Sequence, residues 1–224
     1  MTDLEPPLIP PPVPAPTSAR APARSRAVRE DGLRTRRAIL SHAVALSTVH
    51  GLEGLSIGDL ARSLDMSKSG VYAHFGSKEE LQLATIDEAG QQFSAEVVAP
   101  ALRAAPGVDQ LVAVCDAFFD HLRRHVFPGG CFFAGAALEM GTRPGPVKEA
   151  VATFQRAFVQ LVAGFAASAV AAGQLPPDED PTQLAFELNG IMLAADVGFV
   201  LHGVEAPLAM GARAVRRRLA LAPD

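Results

Sequence analysis

From Leu33 onward the apolar residues of this chain recur three and four positions apart, and no stretch alternates with period two for long enough to require a strand. The chain is therefore read as all-α, so its function must be built on helix faces and helix ends. Residues 1–30 stand outside that pattern. The first 22 hold eight of the 18 prolines, and a stretch so poor in amide donors is not expected to pack. Residues 1–30 are expected to form a disordered arm rich in proline and arginine.

Breakers divide the rest. A first helix is predicted from about 34 to 50, with Ile39, Leu40, Ala43, Leu46 and Val49 inward, ending at Gly51. Ser56 is placed to cap a second, short helix through the amide of Asp59, which sits at the acidic capping-box position. Asp65-Met66 forms a turn, Ser67 caps a third helix that Gly76 ends, and Ser77 caps a longer fourth helix that Pro100 breaks or kinks. Further helices are predicted at about 108–126, 131–141, 145–173, 181–203 and 206–221, separated by Pro- and Gly-containing segments.

The net charge of −4 is unevenly spread. Residues 1–79 carry ten Lys/Arg against eight Asp/Glu, whereas 80–224 carry ten against sixteen. A basic N-terminal third binds polyanion locally whatever the total. Two cysteines make no disulfide framework, and a reducing compartment is the simpler reading. The N-terminus lacks the apolar core of a signal peptide, and the uncharged run 157–177 carries Gln, Gly and Ser and ends in Pro176-Pro177, unlike a membrane span. A soluble cytoplasmic protein is expected.

Two short helices joined by a tight turn, the second opening with small polar residues and a Lys, match a helix-turn-helix that lays its second helix in the DNA major groove. Small side chains at Ser67, Ser69, Gly70 and Ala73 let backbone approach base edges, and Lys68 reaches guanine acceptors. Tyr72, His74 and Lys78 offer donors to phosphates, and Ser56 presents a helix N-terminus to another. Arg34, Arg36 and Arg37 are expected near the DNA backbone, with the four arginines before them either a minor-groove arm or a solvated leader. Phe75 is assigned to the core; the competing reading packs Tyr72 there too.

The stretch 39–81, with Leu55-Ser56-Ile57-Gly58-Asp59-Leu60-Ala61, Met66-Ser67-Lys68-Ser69-Gly70-Val71-Tyr72-Ala73-His74-Phe75 and Ser77-Lys78-Glu79-Glu80-Leu81, resembles the DNA-binding domain of the tetracycline-repressor-like (TetR) family. The resemblance implies a homodimeric repressor with a helix-turn-helix domain at 31–80 and a helical effector-binding and dimerisation domain at 81–224. It implies a double-stranded DNA operator and a small-molecule effector as partners. By position, Lys68, Ser69, Gly70 and Ala73 would face bases, while Ser56, Tyr72, His74 and Lys78 would hold phosphates. The family places its four-helix dimer contact in the last two helices, here 181–203 and 206–221. One departure is visible, since the family often has an aromatic residue where this chain has Ser47.

Eleven of the twelve phenylalanines fall after residue 90. A pocket among such helices is apolar with few polar groups and suits an apolar or aromatic effector. Its candidate lining is Phe93, Val97, Cys115, Phe118, Leu122, His125, Phe132, Phe133, Glu139, Phe158 and Asn189, with Gln155 as a further polar group. His121 and His125 share a helix face as a metal pair would, but no third ligand is evident and no metal is expected. Cys131 stands at a helix N-terminus, which lowers a thiol pKa, among aromatic neighbours that raise it; a structural role is preferred. Asp196 lies in an apolar run, either as a buried effector anchor or, more commonly, facing solvent or a partner helix. No cofactor is expected. An all-α enzyme is the competing class, against which stand the absent phosphate loop, metal triad and nucleophile–base pair. A ligand-independent DNA binder is the other alternative.

Overall fold

The computed structural model describes residues 23–221, with side chains from residue 31. The expected arm lies outside the described residues over 1–22. The described residues divide into two units between Thr35 and Arg36. Among the described residues there is no strand.

Helix α1 (Ala23–His50) starts well before the predicted position near 34. Residues 23–30, expected in the disordered arm, are helical because the proline run ends at Pro22 and the following Ala, Arg and Glu favour helix. Within the first unit, Asp31 pairs with Arg34 and its carbonyl accepts from the Thr35 hydroxyl at 2.9 Å.

In the second unit, α2 (Ile57–Ser63), α3 (Lys68–Phe75) and α4 (Lys78–Phe93) follow the predicted capping chemistry. The hydroxyls of Ser56, Ser67 and Ser77 accept from the amides of Asp59, Gly70 and Glu80 at 3.1, 3.0 and 3.1 Å. These helices close over a small core of Ile39, Leu40, Ala43, Leu55, Leu60, Ala61, Val71, Phe75 and Leu81. Val49, predicted inward, is 57% exposed. It lies near the end of α1, past the turns that this core covers. Ser47, at the departure from the family pattern, is buried and its hydroxyl has no partner among the described residues.

Pro100 does not end the fourth helix. The chain passes from α4 into a π-helical stretch, Ser94–Val98, then α5 (Ala99–Arg103), whose first turn holds Pro100. The wide turn, in which Ala99 N–H bonds to the Ser94 carbonyl, re-registers the backbone so that the proline falls where no amide is needed.

The larger core is formed by α6 (Val108–Arg123), α7 (Phe132–Met140), α8 (Pro146–Ala171), α9 (Pro181–His202) and α10 (Ala206–Arg218), with Ile86, Ala89 and Phe93 of α4, Val97 and Ala101 packed into it. By length and composition α8 and α9 are each apolar enough to cross a bilayer. Both place a row of residues in this core instead, among them Val151, Phe158, Val162, Leu184, Leu188 and Met192.

Asp196, for which the solvent-facing reading was the commoner one, is buried. Its Oδ1 accepts from the Cys131 amide at 3.1 Å, supplying the cap that α7 lacks from its own side chains. Gly130 (φ +91°) permits this approach, since a Cβ there would stand 2.6 Å from Asp196 Oδ1. Burial pushes the Asp196 carboxyl up to about 6, against the lowering effect of the Cys131 amide. The native state therefore holds this proton between about pH 4 and 6 where the unfolded chain has lost it, and stability falls as pH rises through that window. Asp196→Asn, which keeps an acceptor for the amide, is expected to remove the loss and to stabilise the protein at pH 7 by roughly 3 kcal/mol. Urea unfolding at pH 5 and 7 checks this; an unchanged pH difference in the variant refutes it.

Candidate functional site

The two buried residues of α3, Val71 and Phe75, turn its opposite side outward. Ser67, Lys68, Ser69, Tyr72 and Ala73 are exposed there, and Gly70 and His74 are half-buried. Tyr72 is 55% exposed and Phe75 is 2%, so the phenol belongs to the surface and only the phenylalanine to the core. The structure thus gathers the residues expected to meet bases on one open helix face.

The basic residues around that face are less free than their spacing suggested. Lys78 Nζ donates to Glu53 Oε1 at 2.8 Å and to the Glu53 carbonyl at 2.6 Å. Those bonds, together with one from Gln82, hold the Glu53 carboxyl below its usual range. Arg36 lies 4.9 Å above the Phe75 ring, a cation–π contact, while Arg37 is exposed. Arg34 pairs with Asp31 within the first unit. The Ser56 hydroxyl donates to Asp59 Oδ2 at 2.6 Å, so a carboxylate already occupies that helix start.

Behind this domain lies a cavity of about 90 Å³, lined by Phe93, Phe118, Cys131, Phe133, Ala134, Ala137, Leu138, Phe154, Gln155, Phe158, Asn189, Met192 and Leu193. Six of the expected residues, Phe93, Phe118, Phe133, Gln155, Phe158 and Asn189, reach its wall. Val97, Cys115, Leu122 and Phe132 are buried in the core away from it. His125 is excluded for a definite reason. Helix α6 ends at Arg123, three residues short of the expected 126 and before His125 can share its face, and His125 adopts φ +49° and is exposed beside Phe199. The histidine that shares its helix with Phe118 is His121, buried and 6.1 Å from the Phe93 ring. The two histidines therefore do not form a pair.

Phe93 is the hub of the wall, edge-on to Phe118, Phe133, Phe154 and Phe158 at centroid distances of 5.2–6.3 Å. Phe133 stacks on Phe154, and Gln155 Nε2 donates to the Phe133 carbonyl at 3.1 Å. Burial pushes both thiols, Cys115 and Cys131, up to about 12, so neither is a thiolate nucleophile at neutral pH.

Glu139, expected on the cavity wall, instead faces the loop between α1 and α2. Its Oε2 accepts from the Leu52 amide at 2.7 Å and its Oε1 from the Glu53 amide at 3.0 Å. Gly51 (φ +81°) makes room, because a Cβ there would lie 2.7 Å from Glu139 Oε1. At the other end of α7, the Gly129 amide donates to Thr48 Oγ1 at 3.0 Å. The helix carrying Phe133, Ala134, Ala137 and Leu138 is thus tied at both ends to the α1–α2 region. Spacing alone missed Ala134, Ala137 and Leu138, although 134, 137 and 138 repeat at i, i+3 and i+4 on one face. No local signal marks Glu53 or Glu139 as bridging groups, since each partner is distant in sequence.

Two family models match the chain: bacterial regulatory proteins of the tetR family over residues 39–85, and the tetracyclin repressor-like C-terminal domain over 107–215. The HTH-type transcriptional repressor ComR of Escherichia coli K12 is 27% identical over 158 residues, 70% of this chain and 75% of that protein. Among solved structures, a TetR transcriptional regulator from Chloroflexus aurantiacus is 25% identical with a TM-score of 0.80, covering 85% of this chain and 96% of that one. AibR, in complex with isovaleryl coenzyme A and operator DNA, is similar in fold with a TM-score of 0.68 at 24% identity, covering 81% of this chain and 96% of its own.

Proposed function

Because this chain belongs to the TetR family of bacterial DNA-binding transcriptional regulators, we propose that it is a cytoplasmic one-component repressor that binds a pseudo-palindromic operator as a homodimer and is released by a small apolar or aromatic effector. The observation that carries this reading is the double role of α7, whose residues wall the cavity while Glu139 grips the Leu52 and Glu53 amides. An effector that widens the cavity moves α7 and with it the α1–α2 loop. The equilibrium between DNA-competent and incompetent conformers then shifts by the ratio of effector affinities for the two. AibR, crystallised with both a coenzyme A thioester and operator DNA, supports a ligand-responsive reading of the fold.

On α3, Lys68, Ser69, Gly70 and Ala73 read bases while Tyr72 and His74 hold phosphates. Ser56 and Lys78 complete the backbone contacts, Lys78 by exchanging Glu53 for a phosphate. Selection from random duplex DNA is expected to return an inverted repeat with half-sites about one helical turn apart. Tyr72→Phe is expected to weaken binding to every selected sequence alike, whereas Lys68→Ala changes the base preferred. Failure to enrich any inverted repeat overturns the operator reading. A Lys68→Ala protein that selects the parental sequence overturns base readout by that residue.

A further inference from the structure

His121 is fully buried, and neither ring nitrogen has a hydrogen-bond partner among the described residues. An unmade hydrogen bond at a buried polar group costs about 1–3 kcal/mol, so such a residue needs a reason to be there. Packing supplies none, because phenylalanine would fill an aromatic site of this kind without the cost. The imidazole is edge-on to Phe127 at 4.5 Å and to Phe93 at 6.1 Å. It also stands one turn along α6 from Phe118. Phe93 and Phe118 both wall the cavity, which places His121 behind its inner wall.

The cavity itself is too small for its proposed use. About 90 Å³ is below the 300 Å³ or more of typical ligand sites, and below the roughly 150 Å³ that admits benzene. Phe93 both lines this space and stands against His121, and it ends α4 where the backbone widens into the π-helical stretch Ser94–Val98. Such turns recur at functional sites because they add freedom where a helix otherwise has none.

We propose that displacement of Phe93 opens an inner subsite in which His121 is the hydrogen-bonding anchor for a small neutral aromatic alcohol of the phenol class. This rests on the cavity being the effector site. Burial, reinforced by Arg124 and opposed by Glu96, pulls the His121 imidazole down to about 4. It is therefore neutral at pH 7, with one nitrogen that accepts and one that donates, and a phenolic hydroxyl complements either. No lining side chain is charged, so a carboxylate would enter without a counter-ion, while a hydrocarbon would leave both nitrogens unmet.

The test compares 4-fluorophenol with 4-fluorotoluene by fluorine NMR titration at pH 7, in the full chain and in His121→Phe. Area burial alone favours the toluene. The wild-type protein is expected to bind the phenol at least as tightly, and His121→Phe to lose phenol affinity about tenfold with toluene binding retained. Both probes displace Phe93 and so alter its ring current at His121, but the His121 ring-nitrogen resonances of the wild type are expected to move well beyond that shift with the phenol alone, which reports on the anchor even if the variant does not fold. Equal loss of both probes in a folded variant, a retained phenol preference, or His121 resonances that move no further with the phenol than with the toluene overturns the anchor while leaving the cavity as effector site. Binding of neither probe to the wild type overturns both.

Discussion

Phe93→Ala is expected to lower the free energy of unfolding by about 3–5 kcal/mol, the range for emptying a fully packed aromatic site. Phe93 is 2% exposed and meets five aromatic rings edge-on, those of Phe118, His121, Phe133, Phe154 and Phe158. Truncation removes its own burial and every one of those contacts together. Neighbouring rings collapse only partly, because Phe133 and Phe154 are held by their mutual stacking and by the Gln155 bond. A residual void therefore joins the existing cavity. In a domain of this size the melting temperature is expected to fall by roughly 10 °C. Part of that loss should return on adding 4-fluorotoluene, by mass action on the folded state. Calorimetry with and without the probe decides the matter. A loss under about 1 kcal/mol would mean that the site collapses freely and that Phe93 does not organise the wall.

What could be read from sequence was local. Ser56, Ser67 and Ser77 each announce a helix start within four residues, and all three hydroxyls accept the predicted amides. The helix-turn-helix was legible for that reason, and the TetR resemblance rests on the same stretch. The cavity was half legible. Phenylalanine content and helical spacing pointed to Phe93, Phe118, Phe133 and Phe158, but whether His125 joined them depended on where α6 ends. Carrying that helix to 126 instead of 123 put exposed His125 on the inward stripe. The links that tie the cavity to the DNA-binding helices were not legible. Glu139 to Leu52, Lys78 to Glu53 and Asp196 to Cys131 span from 25 to 87 residues, and periodicity carries no information about such pairs. The charge pattern likewise gave no sign that Lys78, expected at a phosphate, is paired with Glu53.

The α9 surface carries the other large effect. Phe186, Leu193, Val197, Val200 and Leu201 are 38–73% exposed, and Phe186, Leu193, Val197 and Val200 recur at spacings of seven, four and three, which with Leu201 four after Val197 puts all five on one side of the helix. The opposite side, with Leu184, Leu188, Met192 and Phe199, is in the core. A helix apolar on both sides has a second surface to cover, and in the proposed homodimer a matching α9 from another copy covers it by two-fold symmetry. Helix α10, expected to share this surface, adds Met210 as its only large exposed apolar residue among the described residues. Val197→Glu combined with Leu201→Glu is therefore expected to convert the proposed dimer to a folded monomer. Each copy would bring one recognition helix, so operator affinity is expected to fall on the order of 10³-fold toward non-specific binding, with a salt slope about half the parental value. Both substitutions lie on exposed positions, so helical content should be unchanged. Sedimentation velocity and operator titrations at two salt concentrations separate the possibilities. A variant that still sediments as a dimer would move the interface off α9, and a true monomer with parental affinity would break the link between dimerisation and operator recognition.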